Sequence, residues 1–332
     1  VSRGGVRSPR AFKLRYILDM HRASQLAVMG VLAATCALAS CTDRASGVTT
    51  VKAAAPRPPG VDYVGSWGVK GNDPGQLQDP SAIAADSVGD VFVTNLGNAF
   101  VNKFGGATGR PLLSLQEDNL NRPDAITVDE GGAFYVGDPV RDSVFVFLPN
   151  GDKFKEIHLK TKPSNENQLS IAVGGDGLIH VLDSNAGKVM TFTPRAKMLQ
   201  SWVPAAGPAA PARFGPLVRA ADDTLYIGDS SGTILKLSRE GVPLGVIKPL
   251  AAGVKWDTAA GFALWGNHIF VMDPDGRTLH VATLEGGSVF DQDLAPQLGP
   301  GRRSPMLAVD TQGNLTVLDP LDCKILRYKV HL

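Results

Sequence analysis

Ser81-Ala-Ile-Ala-Ala-Asp86, Asp90-Val-Phe-Val-Thr-Asn95 and Ala99-Phe-Val-Asn-Lys-Phe104 follow one another with short Gly/Asn/Asp-containing turns between them. Three brief alternating runs separated by such turns predict three successive antiparallel strands. A polar loop leads into them, from Gly65-Ser-Trp-Gly68 through Pro74-Gly75-Gln76 to Asp79-Pro80. The pattern then returns to the end of the chain. First runs centre on Ile83, Ile126, Ile171, Val218, Phe262 and Leu307, about 43 to 47 residues apart, the period of a four-stranded propeller blade. Second runs end in Asn95, Asp138, Asp183, Asp229, Asp273 and Asp319, and third runs end near Phe104, Phe147, Phe192, Leu237, Ala282 and Tyr328. Fourth runs follow the first five units only.

The sixth unit stops at Leu332, just after its third run, while a surplus strand, Val61-Asp-Tyr-Val-Gly-Ser-Trp67, precedes the first unit. A deficit at one end and a surplus at the other predict a closed ring. The expected fold is all-β, a six-bladed β-propeller of four-stranded blades spanning 61–332. The N-terminal strand is expected to complete the C-terminal blade, which leaves no open edge at the seam.

Outward from the repeats, the N-terminal region differs in composition. Residues 1–41 hold six basic residues and one acid, leaving 27 basic and 31 acidic residues in the remainder, although the whole chain is formally +1. A mildly acidic body argues against a nucleic-acid partner. Met20-His-Arg22 gives a short basic start and Leu26–Leu38 an apolar core. That core is too short and too rich in small residues to span a bilayer, so residues 1–40 read as an export signal, with Met20 the expected start. It ends in Leu38-Ala-Ser-Cys41, which resembles the bacterial lipobox. The resemblance implies that Cys41 is lipidated and becomes the first residue of the mature protein. Thr42 follows where an aspartate often marks inner-membrane retention, which favours the outer membrane. Residues 41–60 then form a flexible tether rich in Ala and Pro. The remaining cysteine, Cys323, has no partner for a disulfide, and no zinc-type Cys-x-x-Cys spacing occurs.

The repeat units resemble the NHL family. Its pattern of a Gly-rich loop, a Pro, Ile-Ala-Val-Asp, a Gly-Asn turn and Tyr-Val-Ala-Asp is matched by Gly75-Gln-Leu77, Pro80, Ile83-Ala-Ala-Asp86, Gly89-Asp90, Phe92-Val93 and Phe104. Pro123, Ile126, Asp129, Tyr135-Val136 and Asp138 match it in the second unit, and Pro305, Ala308-Val-Asp310 and Gly313-Asn314 in the sixth; the fourth and fifth are degenerate. The resemblance implies the propeller fold and says little of chemistry, because one propeller hosts many functions.

Candidate site residues fall into two groups. Asp138, Asp183, Asp229, Asp273 and Asp319 form a recurring carboxylate pattern on the expected binding face. A need repeated in every blade predicts that each bonds the backbone of its own turn rather than a shared cation. The family includes lyases and metal enzymes whose sites use histidines a few residues beyond that position; here the residues four beyond are Ala99, Asp142, Gly187, Thr233, Arg277 and Cys323, none of them histidine. No zinc site of three histidines is expected.

The second group is basic. Counting from the central apolar residue of each inner strand, the next positions are Ala84, Thr127, Ala172, Arg219, Ala263 and Ala308, taken to face the axis. Arg219 stands out among small residues, and Arg122, Arg213 and Arg303 precede inner strands at the channel mouth. Three readings remain open at this point: an anion site, a channel plug held by carbonyls and water, or a one-residue slip of register in the degenerate fourth unit. No cofactor is expected. The chain reads as a lipid-anchored module of the bacterial cell envelope that binds a protein, peptide or glycan. The rival reading is a lyase or lactonase with a divalent metal at the axis.

Overall fold

The computed structural model describes residues 57–117, 119–204, 214–229, 232–247, 261–273, 276–299 and 305–332. The signal segment, Met20, Cys41, most of the tether, Arg213 and Arg303 lie outside the described residues. Twenty-four strands form six four-stranded antiparallel sheets. Blade one holds β2 (Pro80–Ala85), β3 (Val91–Asn95), β4 (Val101–Phe104) and β5 (Pro111–Leu115). Blade two holds β6 (Ala125–Val128), β7 (Phe134–Asp138), β8 (Ser143–Phe147) and β9 (Lys153–His158). Blade three holds β10 (Leu169–Val173), β11 (Ile179–Asp183), β12 (Lys188–Phe192) and β13 (Met198–Trp202). Blade four holds β14 (Phe214–Arg219), β15 (Leu225–Asp229), β16 (Ile234–Leu237) and β17 (Pro243–Ile247). Blade five holds β18 (Phe262–Trp265), β19 (His268–Met272), β20 (Thr278–Thr283) and β21 (Ser288–Asp293), followed by a single helical turn, α1 (Ala295–Leu298). The last sheet contains β22 (Met306–Val309), β23 (Asn314–Asp319), β24 (Lys324–His331) and, outermost, β1 (Gly60–Trp67), in the order β1-β24-β23-β22.

β1 is antiparallel to β24, from Gly60 opposite His331 to Trp67 opposite Ile325. The Gln292 side chain of blade five also clasps β1, accepting from Val61 N and donating to Val61 O, both at 2.8 Å. One side-chain amide thus makes the pair of bonds that a neighbouring strand would make.

The core lies between blades. Alternation sends successive residues of each strand to opposite faces of its sheet, and each face packs on a neighbouring blade. Phe92 meets Ile126 and Phe134 between blades one and two. Tyr226 meets Phe262 and Val271 between four and five, and Ile83 meets Leu318 and Ile325 between one and six. Burying one such side chain contributes about 1.5–3 kcal/mol, so blade contacts, not hydrogen bonding within a blade, hold the ring. Two glycines with positive φ allow close packing from the previous blade's outer strand. A Cβ on Gly109 (φ 65°) would lie 2.5 Å from the Trp67 ring, and one on Gly241 (φ 87°) equally close to Trp202.

This packing corrects the sequence-based facing. Residues after the central inner-strand position do not all point to the axis. Ala84 packs in the cluster with Phe92 and Ile126, and Ala172 in the cluster with Leu217 and Ile227. Both alternating sets pack between blades, one towards each neighbour.

Candidate functional site

A cavity of about 1030 Å³ runs along the axis, lined by all six inner strands. Its far wall is apolar in five blades, with Ala85, Val128, Val173, Leu264 and Val309 at or next to the strand ends, and carries Arg219 in the remaining one. Its mouth, where the chain enters the inner strands, is polar: Lys70, Gln78, Asp79, Ser81, Arg122, Asp124, Gln168, Ser170 and Ser184 line it.

The register of blade four settles where Arg219 belongs. Leu217 pairs with Ile227, as Ile83 pairs with Val93 and Ile171 with Val181. Leu217, not Val218, is therefore the central residue, and the residue equivalent to Ala84 is Val218. Arg219 takes the last inner-strand position, where the other blades have Ala85, Val128, Val173, Leu264 and Val309. The pairing is irregular between Phe214 and Leu217. Leu217 and Val218 are both apolar, so both registers look equal in sequence; only the cross-strand partner distinguishes them.

Nor does Arg219 lack a carboxylate. Its Nη1 pairs with Asp223 and its Nε donates to Val173 O of blade three at 2.7 Å. Neighbouring inner strands run side by side in the same direction, with Ser170 beside Leu217 and Val173 beside Arg219. Arg219 therefore lies at the opposite end of the inner strands from Arg122, which precedes β6. The structure does not bring these two candidates together.

The recurring carboxylates fold back onto their own turns and loops. Asp138 Oδ2 accepts from Asn121 N and Arg122 N at 2.6 and 2.9 Å, and its Oδ1 from Val140 N and Arg141 N. Asp183 accepts from Ala186 N, Asp229 from Thr233 N, Asp273 from Arg277 N and Asp319 from Leu321 N. The positions four beyond have their own backbone role. Ala99, Asp142, Gly187 and Cys323 all adopt positive φ, between 51° and 60°, as the tight turn requires. Cys323 is buried, and burial raises its thiol pKa, which keeps it protonated and unreactive.

The histidines are scattered. His180 is buried in β11 with Nδ1 3.2 Å from Thr191 Oγ1, and desolvation lowers its pKa to about 4, so it is neutral near pH 7. His280 meets Asp291, and His158 Nδ1 meets Ser143 Oγ at 3.0 Å. Ser143 also donates to Glu156 at 2.8 Å and is fully buried, so this group has the residue types of a triad without an accessible nucleophile. Among the described residues no three His, Cys, Asp or Glu side chains are placed to hold one metal ion.

The mouth contains groups that sequence reasoning did not select. Ser81 Oγ bonds Pro123 O at 2.8 Å, Asp124 Oδ2 accepts from Leu169 N at 3.2 Å, and Ser170 Oγ accepts from Leu217 N at 2.9 Å. Each bond joins one inner strand to the next blade. Their signal was a polar residue one or two positions before the central apolar one. Asp124 differs from the serines. Its Oδ1 has no partner, nor has Arg122 Nε, and both atoms are buried. Burial pushes the Asp124 pKa well above the usual carboxylate range, opposed by the Leu169 N–H and the Arg122 charge.

No protein-family model and no curated protein matches this chain. Solved structures do. A streptogramin B lyase is similar at TM-score 0.57 and 12% identity, over 82% of this chain and 98% of that one. The Cps50 (Swd1) β-propeller domain of Myceliophteria thermophila is similar at TM-score 0.57 and 9% identity, over 82% of this chain and all (100%) of that one. A protein of unknown function from Bacteroides thetaiotaomicron is similar at TM-score 0.60 and 16% identity, over 82% of this chain and 76% of that one. At these identities the likeness establishes the propeller fold and carries no chemistry across.

Proposed function

We propose that this chain is an NHL-type propeller anchored in the bacterial cell envelope through lipid on Cys41, with the outer membrane favoured. On this reading it is a binding or scaffold module whose mouth face takes a protein, peptide or glycan. The observation that carries the binding reading is the axial cavity, with a polar mouth over a wall that is apolar except for Arg219. The recurrent turn carboxylates are engaged locally, which leaves recognition to residues that do not recur. The rival is a lyase or lactonase-like enzyme using a divalent metal at the axis, motivated by the NHL resemblance and by the fold shared with a streptogramin B lyase. The described residues do not fit that group: no three His, Cys, Asp or Glu side chains among them are placed to hold one metal ion. Lys70, Gln78, Ser81 and Gln168 fit a binding role in the mouth.

Crosslinking in intact cells followed by affinity capture tests the reading. The wild type should capture an envelope partner that Gln168→Trp, which fills the mouth, loses. Unchanged capture by Gln168→Trp overturns it. Cys41→Ser should abolish incorporation of radiolabelled fatty acid, and a wild type that incorporates none overturns the anchor.

A further inference from the structure

We propose that the cavity mouth binds a polypeptide segment, with one backbone amide held between Arg122 and Asp124 and an adjacent apolar side chain entering the throat. This rests on the binding-module reading above and names its ligand class.

The argument starts from two unmatched atoms. Arg122 Nε is a donor without an acceptor, and Asp124 Oδ1 an oxygen without a donor. Both residues line the axial cavity, flanking Pro123 at the entrance to β6. The guanidinium is near enough to act on the Asp124 carboxyl, yet the two form no ion pair. The group that satisfies both must offer a carbonyl oxygen to Arg122 and an N–H to Asp124, and a secondary amide offers both on adjacent atoms. Either protonation state of Asp124 retains an accepting oxygen. Both atoms are shut off from solvent, so a ligand must turn the side chains towards the cavity. Relief of two unmatched buried groups favours that turn.

Charge and shape narrow the class. The charged residues described at the mouth are Lys70, Asp79, Arg122 and Asp124, two of each sign, which suits a neutral dipolar group better than a free anion. The throat beyond, with Ala85, Val128 and Val173 in its wall, suits an apolar side chain. Among the described lining residues the only aromatic is Phe262, and it is buried. Among the described residues a sugar ring therefore finds no aromatic face on which to stack, which favours a peptide over a glycan.

The test uses N-acetyl-Gly-Leu-Gly-amide as probe, with calorimetry on the purified propeller. Its fully N-methylated analogue, which lacks every backbone N–H, and methyl glucoside, a sugar without an amide, serve as comparison ligands. The probe should bind the wild type at least tenfold more tightly than the N-methylated analogue. Asp124→Leu should lose that preference and Asp124→Asn, which keeps an accepting oxygen, should retain it; melting curves report whether each variant is folded. Should Asp124→Leu not fold, Arg122→Met gives the parallel reading and should weaken the probe at least tenfold. Equal binding of probe and N-methylated analogue, or no binding of the probe, overturns the amide proposal. If methyl glucoside binds where the probe does not, the ligand class is wrong while the binding module stands. If Gln168→Trp leaves cellular capture unchanged, the broader reading fails separately.

Discussion

At one end of the inner strands, Asp86, Asp129 and Asp310 each turn a carboxylate onto the backbone of their own turn. Asp86 accepts from Val88 N and Asp90 N, Asp129 from Gly131 N and Ala133 N, and Asp310 from Gln312 N and Asn314 N. At the other end, two positions before the central residue, the first three blades hold Ser81, Asp124 and Leu169, and the bonds run between blades instead. The first end repeats because each turn must satisfy its own N–H groups without help. The second end varies because each residue there meets a different neighbour. Recurrence therefore marks what the fold needs, and departure from recurrence marks where a ligand can be read. Asp124 has the chemistry of the turn aspartates without their full set of partners.

Three experiments break or sharpen this contrast. The largest effect should come from the ring that presents both ends. Deleting residues 1–59 should leave the propeller folded, whereas deleting through Trp67 removes β1, its pairing with β24 and the Gln292 clasp. The longer truncation should lose cooperative thermal unfolding. Equal melting of the two would show that β1 is dispensable.

A smaller loss should follow Asp310→Ala. Asp310 is 3% exposed and also accepts from Asn314 Nδ2 at 2.6 Å. Removing it strands three donors, at a cost of about 3 kcal/mol, read as a fall in Tm of roughly 6–10 °C. A fall of under about 2 °C would mean that the turn end is not held by its carboxylates.

The smallest effect should have the opposite sign. The pKa of Asp124 is raised in the folded chain, chiefly by burial. Its neutral form therefore adds stability that is complete below the unfolded-state pKa and is lost as pH rises through the folded-state value. Asp124→Asn removes the charge and should stabilise the chain by about 1 kcal/mol near neutral pH. The gain should vanish near pH 3, in urea melts at both pH values. Destabilisation near neutral pH would place Asp124 with the turn aspartates and end the contrast.

The strands and turns of blade one were legible, though not the facing of Ala84. Its strands follow the alternation, and its turns follow Gly89, where φ is 87°, and Ala99. Val61–Trp67 was likewise legible as a strand, observed as Gly60–Trp67. Blade four was not, because the adjacent apolar pair Leu217-Val218 hides a one-residue slip, and the misplaced count sent Arg219 to the wrong level. The recurring carboxylates accept mainly from the turn that follows each of them, and Asp138 also from Asn121 and Arg122 in the loop before β6. The partners of Arg219, Val173 O and Asp223, could not be read together, since one of them belongs to another blade.

The amino-acid sequence by itself determined the strands, their turns and the six-fold repeat, because those depend on side-chain alternation and on local backbone sterics. Only the tertiary structure decided the register of β14, the pairing of Arg219 and the unmatched atoms of Arg122 and Asp124. Each of these depends on which atoms of a neighbouring blade stand opposite, and that distance is set by how whole sheets pack.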